Sequence, residues 1–95
     1  MNEPGEPLPV FWTARAIHEL ETINAYIGAV NPLAAQRLTL RLVAAADGLT
    51  VYPDRFRAAG RVRELVVVRP YVIRYRVTAA RVEILRVRHG ARRPV

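Results

Sequence analysis

The 95-residue sequence predicts an α+β domain in the order β-α-α-β-β-β, a helical hairpin packed on one face of a small, mainly antiparallel sheet. Three observations carry this expectation. Two stripes of apolar residues at helical spacing follow one another between Ala16 and Leu49, the pair Asn31-Pro32 stands between them, and from Val62 onward the apolar period falls to two. A chain below 100 residues has room for one core. Residues 1–9 therefore read as a flexible leader and residues 10–95 as a single domain.

Pro4, Pro7 and Pro9 withhold backbone donors from any helix or ladder in the leader. Val10-Phe11-Trp12 fits one short strand, and Thr13 stands where its hydroxyl can accept an orphan N–H at a helix start. The first stripe is Ala16, Leu20, Ile23, Ile27 and Val30, with Arg15, His18, Glu19, Thr22 and Tyr26 away from its centre. Asn31 is a good cap and Pro32 is tolerated at the first helical position. The second stripe is Ala35, Leu38, Leu42, Ala45 and Leu49, and so short a connection implies an antiparallel pair. Residues 50–61, with Pro53 and Gly60, read as a basic connecting loop. Residues 62–68 are β-branched and suit an interior strand. Arg69-Pro70 turns the chain, and Tyr71 to Val77 alternate strictly. Thr78-Ala79-Ala80 turns it again, and residues 81–89 make the last strand.

If that last hairpin folds symmetrically about Ala79, Val72 faces Arg86, Arg74 faces Ile84 and Arg76 faces Val82. One face then carries Tyr71, Ile73, Tyr75, Val77, Leu85 and Val87 beneath the helices. The other carries Arg74, Arg76, Arg86 and Arg88, with Val72, Val82 and Ile84 among them. A slip of one residue would exchange the two sets, so register matters here.

All 15 basic residues are arginine, and lysine, serine and cysteine are absent. An apolar content of 52% excludes a disordered tail. The missing residue types exclude disulfides, zinc–thiolate sites, thiol or serine nucleophiles, lysine Schiff bases and the phosphate-binding loop. A GC-rich gene would favour arginine over lysine through codon usage alone, but codon usage would not decide where the arginines fall. Residues 1–47 hold three arginines against five carboxylates, and residues 48–95 hold twelve against three, so the formal charge of +7 divides into −2 and +9. Such a field draws an anionic partner. Without an apolar run near 20 residues or an apolar leader, the expectation is a cytoplasmic protein with no membrane partner.

Four sheet arginines, with Arg61 and Arg63 nearby, could bind carboxylates or phosphates in bidentate fashion. The plainer reading is that an uncovered sheet face must be polar. His89 ends the last strand in phase with Leu85 and Val87, which suits packing beneath the helices better than proton transfer. His18 reads as solvated, Glu64 as the partner of a neighbouring arginine, and Tyr71 and Tyr75 as core aromatics. No metal-ligating constellation or cofactor motif is present in the sequence.

The run Trp12-Thr13-x-x-Ala16-x-x-x-Leu20-x-x-Ile23-x-x-Tyr26-Ile27, followed by Asn31-Pro32-x-Ala34-Ala35, resembles the opening of the RelE/ParE superfamily of bacterial toxins. So do Pro53, Arg63-Glu64-Leu65, Tyr71-Val72-Ile73-Arg74-Tyr75-Arg76-Val77 and the closing Ile84-Leu85-Arg86-Val87-Arg88-His89-Gly90-Ala91-Arg92. The resemblance implies the toxin half of a type II toxin–antitoxin pair, a module that often stabilises a plasmid or chromosomal segment. It implies a cognate antitoxin with an acidic wrapping segment, a hetero-oligomeric complex, and contact with operator DNA only through the antitoxin.

RelE-like members cut mRNA on the ribosome, and ParE-like members act on DNA gyrase. Against the nuclease pattern this chain has Val72 where a nuclease arginine would align, no tyrosine after His89, and no lysine. The resemblance therefore implies a ParE-like gyrase inhibitor, with a ribosome-dependent endoribonuclease as the alternative. The residues expected to face target or antitoxin are Arg61, Arg63, Glu64, Arg74, Arg76, Arg86, Arg88 and Arg92. A nuclease would use Arg63, Arg74 and His89. A plain RNA-binding module is the least supported reading, for want of an exposed aromatic platform.

Overall fold

Thr13 and Asn31 start the two helices as the sequence predicts: each has extended backbone and a side-chain oxygen accepting the N–H three residues on, from Ala16 and Ala34. The structure, a computed structural model, describes residues 7–50, 57–59 and 62–90. Its elements are β1 (Val10–Trp12), α1 (Ala14–Gly28), α2 (Pro32–Asp47), a 3-10 turn (Gly48–Thr50), β2 (Arg57–Ala59), β3 (Val62–Val66), β4 (Tyr71–Val77) and β5 (Val82–His89). They form a five-stranded sheet of order β1-β5-β4-β3-β2, antiparallel except where β1 runs parallel to β5. This is the expected α+β architecture with one strand more. β2 lies in the stretch read as loop, where pairing with β3 overrides weak local preference; the rest of that stretch beyond Thr50 lies outside the described residues. β3 ends at Val66, earlier than expected, because Val67 and Val68 bond across the turn to Tyr71.

The helices cover one sheet face. Ala16, Leu42, Ala46 and Leu49 bury against Leu65, Ile73, Tyr75, Val82, Ile84 and Val87, with Leu20, Ile23 and Leu38 at the margin. Val30, assigned to the first stripe, is 90% exposed, because α1 has ended at Gly28 and the chain is already turning toward Asn31. No helix among the described residues is long and apolar enough to cross a membrane. Leu8 and Pro9 are tied to the domain, Leu8 through Thr50 and Pro9 through the N–H of Val82.

The expected register of the last hairpin is corrected. Thr78 closes the turn by donating to the Arg81 carbonyl and accepting from the Ala80 and Arg81 N–H groups. Val77 is thereby set opposite Val82, Arg76 opposite Glu83 and Tyr75 opposite Ile84. The slip of one residue turns Val82 and Ile84 inward, where both are fully buried rather than lying among the arginines. A bulge then restores the phase: Leu85 is the extra residue, so Arg74 meets Arg86, Ile73 meets Val87 and Val72 meets Arg88. Leu85 consequently leaves the core face, while Arg74, Arg76, Arg86 and Arg88 keep the outer side assigned to them.

Candidate functional site

Alternation along β3, β4 and β5 builds the outer face in cross-strand rows: Val66, Val72 and Arg88 in one, Glu64, Arg74 and Arg86 in the next, then Arg76 beside Glu83. This face is less bare of counter-charge than its sequence suggests. Glu83, only 9% exposed, accepts from Arg76 Nε and Nη2 at 2.9 and 2.6 Å and from Arg81 Nε at 3.0 Å. Arg81 also stacks its guanidinium 4.2 Å from the centre of the Phe11 ring. Hydrogen bonds from Arg76 and then Arg81 outweigh burial and hold the Glu83 carboxyl below its ordinary range.

Arg86 reaches over the sheet edge to Glu19 on α1, with Nη2 at 2.7 Å and Nε at 2.9 Å from Oε2. The same carboxylate accepts the Val87 N–H at 3.0 Å. Burial works to raise the Glu19 pKa, but the bonds from Arg86 and Val87 and the charges of Arg86 and Arg15 overcome it, so the net shift is downward. The Arg86 guanidinium is held above its ordinary value chiefly by its bond to Glu19. Glu64 pairs with Arg74 as expected, but loosely, at 3.6 Å, and Arg74 Nε is buried without a hydrogen-bond partner.

Between these pairs lies an open cavity of about 420 Å³ lined by Thr13, Arg15, Val62, Arg74, Leu85 and Arg86. Three guanidinium groups around an apolar floor of Val62 and Leu85 suit an anionic group carried on an apolar body. No described residue lining this cavity has the chemistry of a general base at neutral pH.

The three residues proposed for a nuclease do not converge. Arg74 faces outward beside this cavity. Arg63, opposite Tyr75, belongs by register to the helix-covered side. His89 packs edge-on against Tyr71 at 5.3 Å and lines a separate groove against α1. Among the docking candidates, Glu64, Arg74, Arg76, Arg86 and Arg88 lie on the outer rows, Arg63 does not, and Arg61 and Arg92 lie outside the described residues. Sequence reasoning missed the part of Glu19, whose partner Arg86 is 67 residues away and leaves no local trace. It missed Glu83 because the wrong register hid the pairing with Arg76, although Arg81 two positions earlier was a usable sign. Among the described residues, no group of three or more histidines and carboxylates is placed to hold a metal ion.

Comparison with known proteins agrees with this fold. The model of the family described as "ParE toxin of type II toxin-antitoxin system, parDE" matches residues 10–94. The chain is 57% identical over 84 residues to "Toxin RelE2" of Caulobacter vibrioides, covering 87% of this chain and 96% of that protein. It is 45% identical over 83 residues to "Putative toxin Y4kP" of Sinorhizobium fredii, covering 83% of this chain and 84% of that one. A solved structure titled "Chromosomal ParDE TA system from P. aeruginosa" superposes with a TM-score of 0.78 at 21% identity, over 88% of this chain and 97% of the other, a likeness of fold. With a family match across nearly the whole domain and curated toxins as relatives, the chain belongs to the RelE/ParE superfamily and is a toxin of the type II toxin–antitoxin kind.

Proposed function

We propose that the toxin acts by binding rather than by catalysis, as a ParE-like inhibitor of DNA gyrase that a cognate antitoxin neutralises with an acidic segment. The observation that carries this reading is the dispersal of Arg63, Arg74 and His89 over different sides of the sheet, with Glu19, Glu64 and Glu83 each engaged by an arginine. A nuclease needs a positioned acid and base within reach of one scissile bond. This arrangement instead offers guanidinium groups around apolar residues, a surface suited to holding protein carboxylates. The arginine-lined cavity at Arg15, Arg74 and Arg86 is where an acidic antitoxin segment would compete with the target.

The same cavity supplies charge stabilisation that a phosphodiester cleaver could use, which favours ribosome-dependent mRNA cleavage as the second reading. Supercoiling by purified gyrase separates the two. The expected result is inhibition by the purified toxin, reversed by its cognate antitoxin. Full supercoiling activity in stoichiometric excess of toxin overturns the gyrase assignment. Arg74→Ala should weaken both the inhibition and the antitoxin complex, and the complex should weaken further as salt rises.

A further inference from the structure

Arg74 and Arg86 are direct cross-strand partners on the outer face, a placement in which like charges repel unless an anion answers them. Arg86 has its anion, since Glu19 accepts from both its Nε and its Nη2. Arg74 is less well served. Glu64 stands 3.6 Å from its Nε, beyond hydrogen-bond range, and that Nε is buried without a partner. The Arg74 side chain as a whole nevertheless keeps 34% of its surface exposed. Arg15, in the first turn of α1, is the third cation around the cavity, and it belongs to no ion pair among the described residues.

The remaining lining narrows what could bind. Thr13 is already engaged: its hydroxyl donates to the Ile84 carbonyl at 2.8 Å and accepts the Ala16 N–H at 3.2 Å. Val62 and Leu85 supply the apolar surface, Leu85 because the bulge takes it out of the core face. No carboxylate is among the described residues of the lining. Recognition therefore falls to three guanidinium groups from three elements, α1, β4 and β5, and to two aliphatic side chains. A carboxylate offers two coplanar oxygens, a match for one guanidinium fork. A phosphomonoester offers three free oxygens on a tetrahedral centre and nearly two negative charges, enough to face all three arginines. A diester, as in a nucleic-acid backbone, has one free oxygen and one charge fewer. The cavity of about 420 Å³ lies in the size range of small-ligand sites, and its apolar part calls for a body as well as an anion.

We propose that this cavity binds a small phosphomonoester of the mononucleotide type, its phosphate held by Arg15, Arg74 and Arg86 and its ring system laid on Val62 and Leu85. The ligand supplies the counter-charge that Arg74 lacks and leaves the pair of Arg86 and Glu19 in place. The site stands on the cavity alone. Its consequence rests on the proposed function, which gives the same arginines to an acidic protein segment: a bound mononucleotide competes with that segment.

The test uses the full chain, isotope-labelled, with four probes at matched ionic strength. Adenosine monophosphate should shift the Arg74 and Arg86 Nε resonances saturably and raise the melting temperature. Cyclic adenosine monophosphate keeps the base and sugar but is a diester, and should bind about tenfold more weakly. Inorganic phosphate, which has no ring, should also bind about tenfold more weakly. Adenosine should leave both resonances where they are. Arg74→Gln should lower the affinity for adenosine monophosphate about tenfold or more. Arg15→Gln, on an exposed turn where folding is not at risk, should do the same. Val62→Ala should weaken adenosine monophosphate and leave inorganic phosphate unchanged. The proposal is overturned if the diester or inorganic phosphate binds as tightly as adenosine monophosphate, if adenosine moves the same resonances, or if Arg15→Gln keeps full affinity. Gyrase enters none of these readings, so the site and the gyrase assignment fail separately.

Discussion

The two halves of β5 are closed in different ways. Val82 to Ile84 lie between two strands, β4 and β1, and Val82 and Ile84 are completely buried beneath the helices. Leu85 to His89 have a strand on one side only among the described residues, and on the other the Thr13 hydroxyl, which donates to the Leu85 carbonyl at 3.3 Å, and the Glu19 carboxylate of α1. The first half is held by backbone ladder and apolar packing, with the ion pairs of Glu83 to Arg76 and Arg81 on its outer side. The second half is held by an ion pair and polar side-chain contacts, which salt and pH disturb. One strand thus combines a segment held between two strands with a segment whose outer edge is closed by side chains.

Substitutions that act on one half and spare the other test this contrast. Ile84→Ala cuts into the first half and should cost about 2–5 kcal/mol, read from urea unfolding. Glu19→Gln weakens the second half and should cost about 1.5–3 kcal/mol, since it downgrades hydrogen bonds to a charged group. If the second loss equals or exceeds the first, the contrast between the two halves collapses. Gly90 follows β5, and a Cβ there would lie 2.9 Å from the Pro70 carbonyl oxygen and 3.2 Å from a methyl of Val72. Gly90→Ala should therefore cost about 1–3 kcal/mol through overpacking. Thr13→Ala, at the junction of the halves, removes a helix cap and the bond to Ile84 and should cost about 1 kcal/mol.

Acid reaches both halves through their ion pairs, Glu83 in the first and Glu19 in the second, and spares the apolar packing. Glu19 and Glu83 titrate in the folded chain below the ordinary value of 4.5, so the stability they contribute is present above that value. It is lost as pH falls through their folded-state pKa values. Wild-type unfolding midpoints should drop more steeply below about pH 4.5 than those of Glu19→Gln or Glu83→Gln, and the gap between wild type and each variant should close. The gap caused by Ile84→Ala should stay constant across that range. A pH-independent gap for Glu19→Gln would remove the ion pair from the account.

Much of this was legible in the sequence, and the failures share a cause. Spacing alone placed both helices, their caps at Thr13 and Asn31, and the strand from Tyr71 to Val77, because each rests on local chemistry and a repeated period. The sides of Arg74, Arg76, Arg86 and Arg88 also emerged correctly. The identities of Val82, Ile84 and Leu85 did not, because the side chain of Thr78 sets the turn and a bulge follows, and periodicity encodes neither. β2 stayed hidden because its strand character comes from β3. At the candidate site the arginines were visible as an excess, whereas the carboxylates that engage them were not. Glu19 meets Arg86 only after the helix has folded back on the sheet, and Glu83 meets Arg76 only in the true register. The charge count therefore overstated how bare the basic face is.

The central claim is that this toxin binds and does not cut. The most direct measurement is mapping of mRNA ends on ribosomes in a translating extract supplied with the purified protein. The account predicts intact message at toxin concentrations that halt gyrase. Codon-phased cuts that disappear in Arg74→Ala or His89→Ala would contradict it.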